Sequence, residues 1–269
     1  MMRRLIVAPL FLILLAPLAV ASGLDDPMGK PPADPPAVSR LGKGYLDSAA
    51  MPDAVMLLGP PPADGSTALA RDKRAEASAL AKHGTPRWDQ ATIDADLFTP
   101  KATDSFSCAA GFVIGKDTTP KIDALLRKAA TDFGLSVYPV KRKYMRQRPF
   151  VGNGKPMCTP ELDAILRADG SYPSGHAAIG HGWAKLLGAI VPKRKKHLMV
   201  RGAQFADSRR ICNVHFASDV QGGAVMADAV FKALMNNEKF KADLAEAKVE
   251  FAAHKPVKPD CTREKAALE

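Results

Sequence analysis

Apolar side chains recur every three or four positions along much of the chain, the spacing that places them on one face of an α-helix. The clearest case follows Thr118 and Thr119, which can cap a helix, and Pro120, which suits a first helical turn. Three such stripes are Ile122, Leu125, Leu126, Ala129 and Phe133; Ile179, Trp183, Leu186, Leu187 and Ile190; and Val220, Ala224, Ala227, Val230, Phe231 and Leu234. Two charged segments, 66–82 and 240–254, are also predicted as helices.

Alternating β-type patterns are nearly absent, because the one candidate, 112–114, is too short to count as a strand. The sequence also contains no internal repeats. It therefore predicts an all-α protein, a single-domain helical bundle. In such bundles, ligand sites are usually built from side chains that face inward between the helices.

The first residues indicate export. A basic start at 1–4 precedes an apolar run at 5–20, and Ala19-Val20-Ala21 offers the small residues of a cleavage site. We predict a signal peptide over 1–21 and a periplasmic or secreted protein; an uncleaved anchor is the alternative. No later stretch reaches the roughly 20 apolar residues of a spanning helix, so we expect no membrane span after cleavage.

Composition divides the remaining chain into three parts. Residues 22–64 are rich in proline and are predicted to form an arm over the domain, with Leu57 and Leu58 as its tether. The main domain is expected over 65–258, followed by a C-terminal tail over 259–269. A length of about 245 residues after cleavage suits one domain with a sizeable core.

Charge and cysteine content argue against two kinds of binding site, one for nucleic acid and one for zinc. The formal net charge is +10, which would attract anions, but no basic stretch is interleaved with aromatic residues, so nucleic acid is not an expected partner. The four cysteines allow three disulfide pairings in an oxidising compartment. They contain no CxxC pair, which argues against a zinc site.

The stretch 170–176, GSYPSGH, is typical of a helix start that could bind an anion. Pro173 precedes the start, Ser174 is a favourable N-cap, and Gly175 lets a ligand approach the backbone. The first amides of a helix point outward without internal partners. A capped helix with a solvent-facing His176 is the plainer interpretation of this stretch alone.

Two further segments favour the anion-binding interpretation over the plain capped helix. Five cations lie within the eight residues 141–148, including Lys141 and Arg148. The segment 208–219 holds Arg209, His215 and Asp219. If it is helical, His215 and Asp219 are four residues apart on one face, and the carboxylate could fix the imidazole tautomer.

Together the three segments read Lys141-x6-Arg148-Pro149, Pro173-Ser174-Gly175-His176 and Ser208-Arg209-x5-His215-x3-Asp219. This pattern resembles the PAP2 (phosphatidic acid phosphatase type 2) superfamily, and within it the bacterial class A non-specific acid phosphatases. The segments 58–62, 144–150 and 251–254 are similar to the same class. The resemblance implies an acid phosphatase that hydrolyses a broad range of phosphomonoesters, with nucleotides among the candidate substrates and phosphotransfer to alcohols left open.

The resemblance also implies a role for each motif residue. Lys141, Arg148 and Arg209 would hold the phosphate oxygens, and Ser174 and Gly175 would add hydrogen bonds. His215 would form a phosphohistidine with its ring oriented by Asp219, and His176 would protonate the leaving alcohol. No metal and no cofactor is expected, and a homo-oligomer is left open. The implied disulfides are Cys158–Cys212 and Cys108–Cys261.

Three other functions use similar features. A vanadium-dependent haloperoxidase would place vanadate in a closely similar residue set, whereas a lipid phosphatase of this superfamily would carry several membrane spans. An inactive anion-binding or adhesion protein would require that the complete motif be present without catalysing a reaction.

Overall fold

A computed structural model describes residues 42–253 and 255–268, which all fall in one compact unit. The predicted signal peptide and the first part of the arm, through residue 41, lie outside the described residues. Within the described ranges the regular structure is helical and contains no strand, which confirms the predicted all-α class. No helix in these ranges is both long and apolar enough to cross a bilayer.

The described chain contains thirteen α-helices and three short 3₁₀ turns. The helices are α1 (Ala54–Leu58), α2 (Thr67–Leu80), α3 (Pro86–Ile93), α4 (Ser107–Ala110), α5 (Pro120–Leu135), α6 (Tyr138–Tyr144), α7 (Pro149–Asn153), α8 (Asp163–Arg167), α9 (Gly175–Ile190), α10 (Lys195–Ile211), α11 (Ala217–Leu234), α12 (Glu238–Ala253) and α13 (Thr262–Leu268). The 3₁₀ turns are Ala102–Phe106, Pro160–Leu162 and Pro192–Arg194.

Helix α9 lies at the centre of the bundle and packs against α5, α10 and α11. Its Trp183 is fully buried and donates from Nε1 to the Leu126 carbonyl oxygen at 2.8 Å. Helix α11 approaches the start of α9 very closely. A Cβ at Gly223 would lie 2.5 Å from the Ser174 carbonyl oxygen, so only glycine permits this approach. The two helices that carry the second and third motifs are thereby held together.

All five helices predicted from the sequence are present, with ends that differ by a few residues from the predicted ones. Helix α10 was not predicted, because its buried side includes Arg201, Ser208 and Arg209 and therefore shows no apolar stripe. Arg201 is paired with Asp94 in the interior, and Ser208 donates to the same carboxylate at 2.6 Å.

The described part of the arm lies against the bundle. The amides of Tyr45 and Leu46 donate to the buried Asp132 carboxylate. Leu58 packs on the core, whereas Leu57 is about half exposed. The Leu58 carbonyl oxygen accepts a hydrogen bond from Tyr172 Oη at 3.3 Å, so the arm contacts the 170–176 stretch.

Two disulfides join the pairs implied by the resemblance, Cys108–Cys261 and Cys158–Cys212. The first attaches α13 to the bundle, where Glu264 lies 3.4 Å from Arg201 Nε. The second joins the segment after α7 to the residue that follows α10. Because Arg148 directly precedes α7 and Arg209 lies in the last turn of α10, this bridge links two of the motif segments.

We expect removal of the first disulfide, in the variant Cys108→Ser/Cys261→Ser, to destabilise the fold without removing catalytic groups. The bridge closes a loop between residues 153 positions apart, and its loss increases the entropy of the unfolded chain. Unfolding in guanidinium chloride, followed by circular dichroism, should show about 2–5 kcal/mol less stability. An unchanged transition midpoint would contradict a stabilising role.

Candidate active site

Six of the predicted site residues line one cavity of about 420 Å³: Lys141, Arg148, Gly175, His176, Arg209 and His215. The helices α6, α9 and α10 and the segments before α7 and α11 each contribute. Much of the remaining wall is apolar, with Leu97, Leu162 and Ile165 among its side chains. The cavity therefore combines a cationic end with an apolar wall.

Arg148 is 3% exposed, and every nitrogen of its guanidinium group has a partner. Nε donates to the carbonyl oxygens of Leu166 and Asp169 at 2.8 and 3.1 Å. Nη2 donates to Asp169 Oδ2 at 3.0 Å and to the Gly170 carbonyl oxygen at 3.3 Å. Nη1 donates to the Val214 carbonyl oxygen and contacts His215 Nε2, both at 3.0 Å. These contacts fix the Arg148 side chain against His215, the candidate nucleophile.

Lys141 is equally buried and lies beside the same loop. Its Nζ donates to the Gly170 carbonyl oxygen and lies 3.3 Å from Asp169 Oδ2. Burial lowers the pKa of Lys141 to about 8, although the Asp169 carboxylate favours the charged form. An ammonium has three N–H donors, so this side chain can also donate to a ligand.

Arg209 is the least satisfied of the three cations. Its Nε is buried without a hydrogen-bond partner, and its Nη1 contacts only the Cys212 sulfur, at 3.8 Å. Burial and the neighbouring Arg148 charge lower the pKa of Arg209. A guanidinium nevertheless stays protonated in proteins, so the cavity wall contains a buried cation whose Nε has no hydrogen-bond partner.

The start of α9 lies at the cationic end. Ser174 is the N-cap, and its Oγ accepts from the Ala177 amide at 3.2 Å. Ser174 is fully buried, while Gly175 reaches the cavity. The first amides of this sixteen-residue helix add positive potential where the three cations converge.

The contact between Arg148 and His215 fixes the imidazole tautomer. A guanidinium has only donors, so His215 Nε2 must accept the hydrogen bond and cannot carry a proton. The proton of the neutral ring is then on Nδ1, which lies 3.4 Å from Asp219 Oδ2. Burial, followed by the charges of Arg148 and Lys141, lowers the pKa of His215 well below its usual value. Nε2 is therefore an unprotonated nitrogen at the cavity wall.

The segment 208–219 is not one continuous helix. Helix α10 ends at Ile211, and Asn213 adopts a left-handed conformation (φ 60°), a conformation that asparagine tolerates better than most residues. His215 follows in the turn. Asp219 is the third residue of α11, and its Oδ2 accepts from the Phe216 amide at 2.8 Å. The His215–Asp219 contact is therefore made across a helix start.

A buried network of ion pairs and hydrogen bonds holds the Asp219 carboxylate in place. Arg146 donates to Asp219 Oδ1 at 2.6 Å and to Asp72 Oδ2 at 2.8 Å. Asp72 lies on α2 and accepts from the Ser218 amide at 2.9 Å. Ser171 Oγ donates to the other Asp219 oxygen, Oδ2. This network ties α2, the segment after α6 and the start of α11 to the carboxylate that contacts His215.

His176 lies on the first turn of α9 and lines the same cavity as His215. Its Nε2 is 3.0 Å from the Ala95 carbonyl oxygen. A carbonyl only accepts, so Nε2 carries a proton. Burial and then the Arg209 charge lower the pKa of His176 well below its usual value.

Several residues of the site have no signal in the sequence, or lie beside a motif that assigns them no role. Asp72 gave no signal, because it is one of several charged residues in α2 and only the structure shows that it is 2% exposed. Asp169 and Ser171 flank Gly170 but lie outside the motif. Within residues 42–253 and 255–268, no group of three or more His, Cys, Asp or Glu side chains could hold a metal ion.

Comparison with known proteins identifies relatives over most of the chain. A family model for the PAP2 superfamily matches residues 124–241, which include all three motif segments. The acid phosphatase of Zymomonas mobilis is 34% identical over 220 residues, covering 80% of this chain and 83% of its own length.

Further relatives are named non-specific acid phosphatase. The protein of Providencia stuartii is 36% identical over 209 residues, covering 77% of this chain and 84% of the relative. The protein of Salmonella typhimurium is 37% identical over 194 residues, covering 72% of this chain and 78% of the relative. The chain therefore belongs to the PAP2 superfamily, among the bacterial non-specific acid phosphatases.

Proposed function

We propose that this acid phosphatase hydrolyses phosphomonoesters through a phosphohistidine formed on Nε2 of His215, without a metal ion. The observation that carries the proposal is the unprotonated Nε2 nitrogen, which faces a cavity lined by three buried cations. A neutral imidazole nitrogen is a nucleophile, and buried cations are the groups that stabilise a phosphoryl group during transfer.

Binding of the substrate replaces one contact between two side chains. The phosphoryl group enters between Arg148 Nη1 and His215 Nε2, which are 3.0 Å apart. Its oxygens then accept from Lys141, Arg148 and Arg209 and from the first amides of α9. The buried cations neutralise the phosphate dianion more effectively than exposed ones would, because little water screens them.

The reaction then proceeds in two displacements. In the first, His215 Nε2 forms a bond to phosphorus, the bond to the ester oxygen breaks, and His176 donates its proton to the leaving alcohol. In the second, a water molecule gives a proton to His176 and attacks phosphorus. The N–P bond breaks, inorganic phosphate forms, and an alcohol in place of the water would give phosphotransfer.

Substrate breadth follows from the apolar part of the cavity. Leu97, Leu162 and Ile165 offer contact area to the alcohol portion without hydrogen bonds that would select one structure. We therefore propose a broad range of phosphomonoesters, nucleotides included, and hydrolysis in the periplasm or outside the cell.

The variant His215→Ala tests the nucleophile. We expect its kcat for an aryl phosphate to fall roughly 10³-fold or more, because no other group replaces the imidazole. The matched control is His197→Ala, an exposed histidine on α10 that does not line the cavity, and it should retain wild-type activity. Both assays are run with and without a chelator. Full activity of His215→Ala, or loss of wild-type activity with chelator, would contradict the mechanism.

The pH profile tests the acid. His176 must be protonated to donate, and burial and Arg209 lower its pKa, so kcat/KM should be highest in acid and fall as pH rises. The bound phosphate dianion favours protonated His176, so kcat should fall at a higher pH than kcat/KM does. Steady-state kinetics across the pH range measure both; a kcat/KM that increases steadily into alkaline buffer would exclude this assignment.

The variant Arg146→Met tests the orientation of His215. Loss of the contacts to Asp219 and Asp72 should lower kcat about 10- to 100-fold, with KM changed far less because Arg146 does not line the cavity. The control is Arg127→Met, which removes a partly exposed arginine paired with Asp123 on α5. An effect on KM alone would assign Arg146 to substrate binding instead.

A further inference from the structure

We propose that Asp169 is the resting counter-ion of the phosphate-binding cations and that its carboxylate weakens phosphate binding, so that the product leaves readily. This inference rests on the proposed function, because it takes the cationic end of the cavity as the phosphate site. Asp169 is not part of the three-segment motif, and it neither attacks the substrate nor transfers a proton in the proposed mechanism.

The carboxylate lies among the cations. Asp169 Oδ2 is 3.0 Å from Arg148 Nη2 and 3.3 Å from Lys141 Nζ, and the side chain lines the cavity. Its backbone is fixed as well, because the Asp169 carbonyl oxygen accepts from Arg148 Nε at 3.1 Å. The negative charge is therefore held beside the site that a phosphoryl group would occupy.

Two other carboxylates that line the cavity, Asp96 and Glu161, form no ion pair with Lys141, Arg148 or Arg209, and the nearby Asp219 and Asp94 are engaged elsewhere. Asp219 pairs with Arg146 and contacts His215, and Asp94 pairs with Arg201. Among the residues that the structure describes, Asp169 is the one carboxylate that forms an ion pair with Lys141 or Arg148, and none pairs with Arg209. Asp169 thus supplies the negative charge that buried Lys141 and Arg148 need.

The same contact opposes phosphate binding. A phosphate dianion must share Lys141 and Arg148 with a carboxylate that already accepts from both, and the two anions repel each other at short range with little screening. Arg209 has no such competitor. Affinity for the substrate and for inorganic phosphate is therefore lower than three buried cations alone would give.

A purely structural role predicts the opposite sign. If Asp169 only aligns Lys141 and Arg148, its removal would let the two cations move apart, and phosphate would bind more weakly. The sign of the change in phosphate affinity therefore separates the two roles.

The test compares Asp169→Asn and Asp169→Ala with Asp163→Asn. The control makes the same chemical change six positions earlier, at Asp163 on α8, whose side chain is 41% exposed and pairs only with Arg167. Titration calorimetry with inorganic phosphate in mildly acidic buffer gives the dissociation constant, and inhibition of aryl phosphate hydrolysis gives Ki. We expect both constants to fall about tenfold in the two Asp169 variants and to stay unchanged in Asp163→Asn.

A second measurement can be made even if the Asp169 variants are less stable than the wild type. The rise in melting temperature on addition of phosphate reports the same affinity, and it should be larger in both Asp169 variants than in wild type. Unchanged or weaker phosphate binding in these variants overturns the counter-ion role. If the wild type is active, binds phosphate and requires His215, that result leaves the proposed function standing. A wild type that binds no phosphate overturns both.

Discussion

The burial of three cations at one end of a single cavity is the constraint on which the rest of the structure depends. Lys141, Arg148 and Arg209 are each at most 3% exposed, and a charge removed from water must be compensated by hydrogen bonds or by an opposite charge. Most of this compensation comes from backbone carbonyl oxygens. Those of Leu166, Asp169, Gly170 and Val214 accept from Arg148, and that of Gly170 also accepts from Lys141. Arg209 is the exception, because its buried Nε has no hydrogen-bond partner.

Apart from that of Leu166 in α8, the carbonyl groups that face these cations lie in loops, and the helices hold those loops in place. The Ser171 amide donates to the Arg146 carbonyl oxygen at 2.7 Å, and the Ser174 amide donates to the Asp219 carbonyl oxygen at 2.9 Å. The Phe150 amide donates to the Asn213 carbonyl oxygen at 3.1 Å, beside the Cys158–Cys212 bridge. All three motif segments are therefore joined by backbone hydrogen bonds. A small displacement of one loop would move the groups of the other two.

The sequence was sufficient to predict those parts of the molecule that have a periodic or a motif signal. The apolar stripes predicted α5, α9 and α11, and the motif named six residues that line one cavity. Helix α10 could not be predicted, because polar residues on its buried side, such as Arg201, are satisfied by partners far away in the chain. The same applies to Asp72 and Asp169, whose importance depends on contacts across 74 and 21 positions. Tertiary pairing of this kind leaves no local pattern.

In the proposed mechanism, two residues fix the tautomer of His215 in turn. Arg148 acts first, at Nε2, and Asp219 acts afterwards, at Nδ1. Arg148 donates to Nε2 and thereby keeps the ring proton on Nδ1. Once a phosphoryl group separates Arg148 from Nε2, only the Nδ1 side remains, where Asp219 Oδ2 is 3.4 Å away. Positive charge develops on the ring as the N–P bond forms, which strengthens the attraction to this carboxylate. In the proposed mechanism this hydrogen bond is therefore strongest in the transition state, where it contributes to rate rather than to binding.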